Sequence, residues 1–244
     1  MNIVAIGGGE VGIGETEILD RELIRLSGKT NPLVLFVPTA SQDDATYVQT
    51  VRGAYSRLGC TVEALRLWGE DGSSETAQDK IARADLVYVG GGNTKAMIAR
   101  WRQLGVDRFL RGHLEAGKPA GGVSAGALCW FQAGNSDWPQ FEGIPDVLTA
   151  KVDCLGFVDL VLCPHASREP FRLGDFREMM RSEPGVGVAL DDNCAIQIRG
   201  EEYRILASQP GAVAHRVQWI EGILHERQLP PHTDFRSLDA VRRA

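Results

Sequence analysis

No two cysteines in the chain stand in C-x-x-C spacing. The five present (Cys60, Cys129, Cys154, Cys163, Cys194) are odd in number and sit mostly in apolar runs. That excludes a disulfide framework and leads us to expect buried free thiols in a reducing, cytoplasmic setting. A basic excess is missing too: 26 Lys and Arg against 32 Asp and Glu leave a net charge of −6. Such a balance gives no footprint for nucleic acid and little attraction to an anionic membrane. No apolar stretch approaches the ~18 residues of a membrane span. The opening segment MNIVAIGGGEVG lacks the basic region of a signal peptide. H-E-x-x-H and His/Cys ligand spacings are also absent, so neither a metal nor another cofactor is expected. Repeats, low-complexity tracts and linkers do not divide the 244 residues.

What the chain does have is alternation. Hydrophobic residues make up 43% and charged residues 24%, ordinary values for a folded globular chain. Short apolar runs at 2–6, 33–37, 61–67, 86–89 and 119–123 alternate with helical spacing at 17–26, 45–58, 77–84, 94–103, 106–116 and 125–131. The run LVLFV at 33–37 is continuous, as in a strand covered on both faces. Repeated strand-to-helix alternation predicts a doubly wound, mostly parallel single sheet flanked by helices. Farther on, 160–163 reads as a buried strand and 171–181 as a helix. The runs at 186–190, 195–199, 203–208 and 213–219 read as strands, some antiparallel. One α/β domain spanning residues 1–244 is expected.

Three glycine clusters end predicted strands. Gly7-x-Gly9-x-x-Gly12 fits the dinucleotide fingerprint, but that motif needs an acid at the end of the second strand. Here the second strand ends in VPTAS, so a glycine-rich turn is expected instead. Gly90-Gly91-Gly92-Asn93-Thr94 opens a helix that Asn93 or Thr94 can cap. Backbone N–H groups at such a turn bind anions or a developing oxyanion. Gly122-Val123-Ser124-Ala125-Gly126 has the strand-to-helix context of a nucleophile elbow. The elbow lifts the Ser124 hydroxyl above the sheet edge and aims the Ala125 N–H where an oxyanion forms. The competing reading is a Ser N-cap with glycines placed for packing.

A nucleophilic serine needs a base, and the base needs an orienting acid. His165 follows the strand at 160–163 and should share the carboxyl edge with Ser124. His113 reads as solvated, and His215, His225 and His232 lie in the tail region. Asp191 and Asp192 end another strand on the same edge.

At these residues the sequence resembles the dipeptidase E (aspartyl dipeptidase) and cyanophycinase family of serine peptidases. GGGNT at 90–94, GVSAGA at 122–127, SDWP at 136–139, CPH at 163–165 and LDDNCAI at 190–196 occur in that family's order and spacing. The resemblance implies a fold like class I glutamine amidotransferases, a small peptide substrate and a plausible homo-oligomer. A true glutamine amidotransferase would carry Cys where this chain has Ser124. Carried over, Ser124 is the nucleophile, His165 the general base, and Gly92 and Ala125 the donors of oxyanion-hole amides. Asp192 takes the third triad place, where the family often has Glu, with Asp191 and Asp137 as its competitors. Asp137 matches a further acid of the family and, with Asn93, is expected to touch the substrate. Arg168 and Arg172 follow His165. Arg172 fits better an arginine that would read an acidic side chain of an N-terminal residue, and the alternative is a solvated charge on an exposed helix face. The rival to catalysis is a binding or regulatory module on the same fold.

Overall fold

A computed structural model describes residues 1–243 of the chain. In chain order the elements are β1 (Asn2–Ile6), α1 (Glu17–Leu26), β2 (Leu33–Val37), α2 (Ala45–Arg57), β3 (Thr61–Ala64), α3 (Ser74–Arg83), β4 (Leu86–Val89), α4 (Thr94–Leu104), α5 (Val106–Glu115), β5 (Ala120–Val123), α6 (Ala125–Leu128), β6 (Phe131–Ser136), α7 (Trp138–Phe141), β7 (Ala150–Asp153), β8 (Val158–Cys163), α8 (Arg172–Met180), β9 (Gly187–Leu190), β10 (Cys194–Arg199), β11 (Glu202–Ala207), β12 (Ala214–Ile220), β13 (Ile223–Leu229), β14 (Arg236–Ser237) and α9 (Asp239–Arg242).

The α/β class and the helix-flanked parallel core are as the alternation predicted. The strands, however, divide between two sheets rather than joining one. The first has the order β14-β11-β10-β1-β5-β4-β2-β3. Its members β1, β5, β4, β2 and β3 run parallel, and β10, β11 and β14 extend it antiparallel. The second has the order β13-β12-β9-β8-β6-β7, with β8 parallel to both β6 and β9 and the outer strands antiparallel. The cause of the split is β6. The chain leaves α6 after one turn and pairs Phe131–Ser136 with β8 instead of continuing the helix expected to 131.

One apolar cluster joins the two sheets. Ile3, Val89 and Ile196 of the first layer and Leu128 of α6 share it with Trp130, Phe131, Leu162 and Leu190, all at most 1% exposed. At roughly 25 cal/mol per Å² of apolar surface removed from water, side chains of this size contribute about 2–3 kcal/mol each. Helices start where short polar residues satisfy their first N–H groups: Asp44 accepts from Tyr47 N (2.6 Å), Ser73 from Thr76 N (3.1 Å) and Asn93 from Ala96 N (3.0 Å). Such a cap stabilises a helix by about 1 kcal/mol. All five cysteines are buried free thiols. Among the described residues no helix is long and apolar enough to cross a membrane.

Candidate active site

The turn after β1 is where the two sheets meet. Ser124 donates its backbone N–H to Ile6 O (3.1 Å), His165 to Gly7 O (3.2 Å) and Asn193 to Gly8 O (2.9 Å). Three segments distant in sequence are thereby stitched to three successive carbonyls. Gly8 permits this approach, because a Cβ there would collide with Asp192 Oδ1 and His165 Nδ1. The glycine run that resembled a dinucleotide fingerprint is thus a seat for a histidine and an acid.

Ser124 sits between β5 and α6 at φ 57°, ψ −114°. A side chain at positive φ costs on the order of 1–3 kcal/mol and persists only where the surroundings enforce it. Here Val123 is pinned in the parallel pair with β1, while Ala127 N and Leu128 N bond to Ser124 O at 2.9 and 3.0 Å. The strained turn leaves Ser124 Oγ with no hydrogen-bond partner among the described residues, His165 included. His165 also has positive φ, 57°. Its Nδ1 lies 2.7 Å from Asp192 Oδ1, and both side chains are about five-sixths buried, at 16% and 17% exposure. Asp192 N in turn donates to Ser167 Oγ at 3.1 Å. Asp191 points elsewhere: its oxygens accept from Val213 N (3.1 Å) and face His215 Nε2 (3.3 Å). Of the two aspartates, only Asp192 meets His165.

The turn after β4 closes the other side. Gly92 has φ 132°, and a Cβ on it would strike the Ala40 carbonyl. Asn93 N bonds that same carbonyl at 2.8 Å. The Ala40 segment is itself held by two indoles: Trp68 Nε1 donates to Thr39 O (2.9 Å) and Trp101 Nε1 to Thr39 Oγ1 (3.1 Å). The N–H groups of Gly92 and Ala125 make no hydrogen bond among the described residues, so both are open donors. Asn93, expected to touch the substrate, is 6% exposed, and its amide oxygen caps α4 by accepting from Ala96 N.

Arg172 overturns the solvated-charge alternative, being 1% exposed at the start of α8. Its Nε donates to Glu169 (2.8 Å) and Nη1 to Asn135 Oδ1 (3.3 Å). Nη2 is buried without a hydrogen-bond partner, 3.8 Å from Asp137 Oδ2. An orphaned buried guanidinium N–H is costly unless something arrives to accept from it. Asn135 is fixed from behind, donating to Thr149 Oγ1 (3.0 Å), which donates to Asp175 Oδ2 (3.0 Å). Arg168, 57% exposed, lies beyond His165 with Nη1 3.9 Å from Asp192 Oδ2.

Two features escaped the sequence. Asn135 lies in β6, which beyond residue 131 had no element assigned to it from the sequence, so its side chain had no assigned direction. Tyr47, in the first turn of α2, accepts the Gly91 N–H with its hydroxyl (3.3 Å), and burial pushes its pKa up to about 12. No spacing rule flags a lone tyrosine there. Burial also raises the Cys163 thiol well above its ordinary value, which removes it as a competing nucleophile. Among the described residues no group of three or more His, Cys, Asp or Glu side chains could hold a metal ion.

The family model for peptidase family S51 matches residues 3–206. The chain belongs to peptidase family S51. It is a serine-type peptidase. The uncharacterized peptidase YgaJ of Bacillus subtilis is 32% identical over 233 residues, which cover 93% of this chain and 96% of that protein. A Peptidase E of Shewanella denitrificans is 25% identical over 218 residues, covering 84% of this chain and 88% of that one. The crystal structure of a peptidase from an acI-B1 Actinobacterium superposes with a TM-score of 0.75 at 18% identity, over 97% of this chain and 96% of that one. That likeness bears on the fold, which is the α/β amidotransferase-like one.

Proposed function

We propose that this S51 peptidase hydrolyses small peptides with an acidic N-terminal residue through a Ser124–His165–Asp192 triad. The observation that carries the reading is the 2.7 Å contact between His165 Nδ1 and Asp192 Oδ1, on the edge where Ser124 is held at positive φ. With Nδ1–H donated to the carboxylate, Nε2 is left as the base. Ser124 Oγ attacks the scissile carbonyl as Nε2 takes its proton. The Gly92 and Ala125 amides donate to the developing oxyanion, a stabilisation of about 3–4 kcal/mol per donor. The imidazolium then protonates the leaving amine, and the C–N bond breaks to give an acyl-enzyme. Water, deprotonated by the same nitrogen, releases the acid. Arg172 receives the acidic side chain on its unpartnered Nη2, and Asp137 stands beside it for the substrate's ammonium group. A bidentate guanidinium suits a carboxylate in a way that lysine does not. The buried free thiols favour a cytoplasmic setting for this activity.

Fluorophosphonate labelling followed by intact-mass spectrometry tests the nucleophile. One adduct is expected on the wild type and none on Ser124→Ala, and equal labelling of the variant would refute the assignment.

A further inference from the structure

The end of β6 away from Asp137 carries charge of the opposite sign to the molecule as a whole. There β7, antiparallel to β6, leads into residues 154–157. Cys154 donates its backbone N–H to Gln132 O (3.0 Å), Leu155 to Cys129 O (3.0 Å), Gly156 to Phe131 O (2.8 Å) and Phe157 to Trp130 O (2.9 Å). Four successive bonds make this segment a fixed shelf. Between the shelf and the joint of α4 with α5 lies a cleft of about 170 Å³, with Arg102, Arg108 and Arg111 in its walls.

Each of the three arginines is held by something other than an acid. Arg102 Nη2 donates to Cys154 O (3.0 Å). Arg111 lies over the Phe157 ring, its Cζ 4.5 Å from the centroid. Arg108 folds against Gly105, where a Cβ would stand 2.7 Å from its Nη2. Among the described residues no carboxylate pairs with any of them. Exposed arginines elsewhere do find one: Arg21, Arg83 and Arg199 hold carboxylates at 2.8–3.2 Å. Asp107 lines the same cleft without reaching the guanidiniums. Three guanidiniums and one carboxylate leave a local charge of +2 in a chain of net charge −6. In physiological salt, charges beyond about 8 Å are largely screened, so the cleft's own residues decide what it attracts.

A planar guanidinium fork matches the oxygens of a phosphate better than a lysine does. A phosphate monoester carries about −1.5 to −2 at neutral pH, which the local charge balances. Donors already held in place lose little freedom when the ligand arrives. Leu155 and Phe157 offer apolar surface beside the charges for an organic remainder.

We infer that Arg102, Arg108 and Arg111 form a binding site for a dianionic phosphate group, free or as the monoester of a small molecule. The site shares no residue with the Ser124–His165–Asp192 constellation and stands independently of the peptidase reading.

Isothermal calorimetry of the full chain at neutral pH and low salt tests it, with inorganic phosphate and phenyl phosphate as probes. Both should bind with a Kd below about 1 mM, as for a few charge-assisted hydrogen bonds. Tighter binding of phenyl phosphate assigns the ligand to the esters, and equal binding assigns it to free phosphate. Arg102→Gln and Arg111→Gln should each weaken binding about tenfold. Arg83→Gln, the same change of charge on another face, should leave it unaltered. Asp107→Asn should tighten binding about threefold by removing a like charge, a gain that a damaged fold does not give. Absence of binding to the wild type at millimolar phosphate overturns the site. So does a loss in Arg83→Gln equal to that in Arg102→Gln and Arg111→Gln, or an Asp107→Asn variant that binds no tighter.

Discussion

Asp20 lies beneath the glycine turn and is 2% exposed, yet ionisable. Its oxygens accept from Thr16 Oγ1 (2.7 Å) and Tyr55 OH (2.9 Å), and among the described residues no cation pairs with it. Burial dominates over these two hydrogen bonds and raises its pKa from 3.8 to about 6. The folded state therefore binds a proton more tightly than the unfolded chain does. The associated stabilisation is fully present below pH 3.8 and is lost as pH rises through 6. A rise from 3.8 to about 6, at about 1.4 kcal/mol for each tenfold change in proton affinity, amounts to roughly 3 kcal/mol between acid and neutral solution. Asp20→Asn removes the charge and keeps the shape. Asn Oδ1 still accepts from Tyr55, and the Thr16 hydroxyl can turn to accept from Asn Nδ2. Urea unfolding of both proteins from pH 4.5 to 8 isolates the residue, because all other titrations cancel in the difference. The variant should gain on the wild type as pH rises, becoming more stable by about 1–2 kcal/mol at pH 8 once an imperfect hydrogen bond is allowed for. A difference that is flat across this range would refute the argument.

Asp192→Asn should lower kcat about 10⁴-fold, the loss seen when a Ser-His-Asp enzyme is deprived of its orienting acid. Asp191→Asn should instead lower stability by about 1–3 kcal/mol, through its contacts with Val213 and His215, and leave kcat nearly unchanged. Steady-state kinetics with parallel unfolding curves decides between them, and the reverse pattern would assign the triad acid to Asp191. Arg172→Met should cost about 2–5 kcal/mol in kcat/KM for Asp-X dipeptides, with little effect on Ala-X. Equal loss on both series would make Arg172 a structural residue.

The parallel half of the fold was legible because continuous apolar runs and helical spacing leave few alternatives there. β1, β2, β4 and α1 occupy the residues expected of them. The second half was less so. AGALCW carries helix-like apolarity past Leu128, and only the pairing of Phe131–Ser136 with β8, a long-range contact, makes those residues a strand. β13 was missed because ILHERQL is mostly polar and exposed, with little of its side-chain surface recruited to a core. At the site, strand ends followed by Ser, His and paired Asp were readable because the carboxyl edge of such a sheet gathers them. Which aspartate faces His165 followed from the family register and not from local pattern, since adjacent residues at a turn point in different directions. The capping role of Asn93 was readable from GGGNT opening a helix, and Asn93 rather than Thr94 takes it. The burial of Arg172 depends on Asn135 and Glu169 meeting it from separate elements.

Ser124 is carried by the first sheet, whereas His165 and Asp192 hang from the second. Their alignment is thus a mechanical property of two layers, fastened at one end by the carbonyls of Ile6, Gly7 and Gly8. The histidine and its acid ride on neighbouring strands of the same layer and travel as a unit. The serine belongs to the other layer. Sliding of one layer over the other, by a repacked Trp130 or Phe131 far from any substrate, would misalign the attack trajectory while leaving the imidazole's own partner untouched. Turnover in such an enzyme reports on the fit between its layers as much as on the chemistry of its side chains.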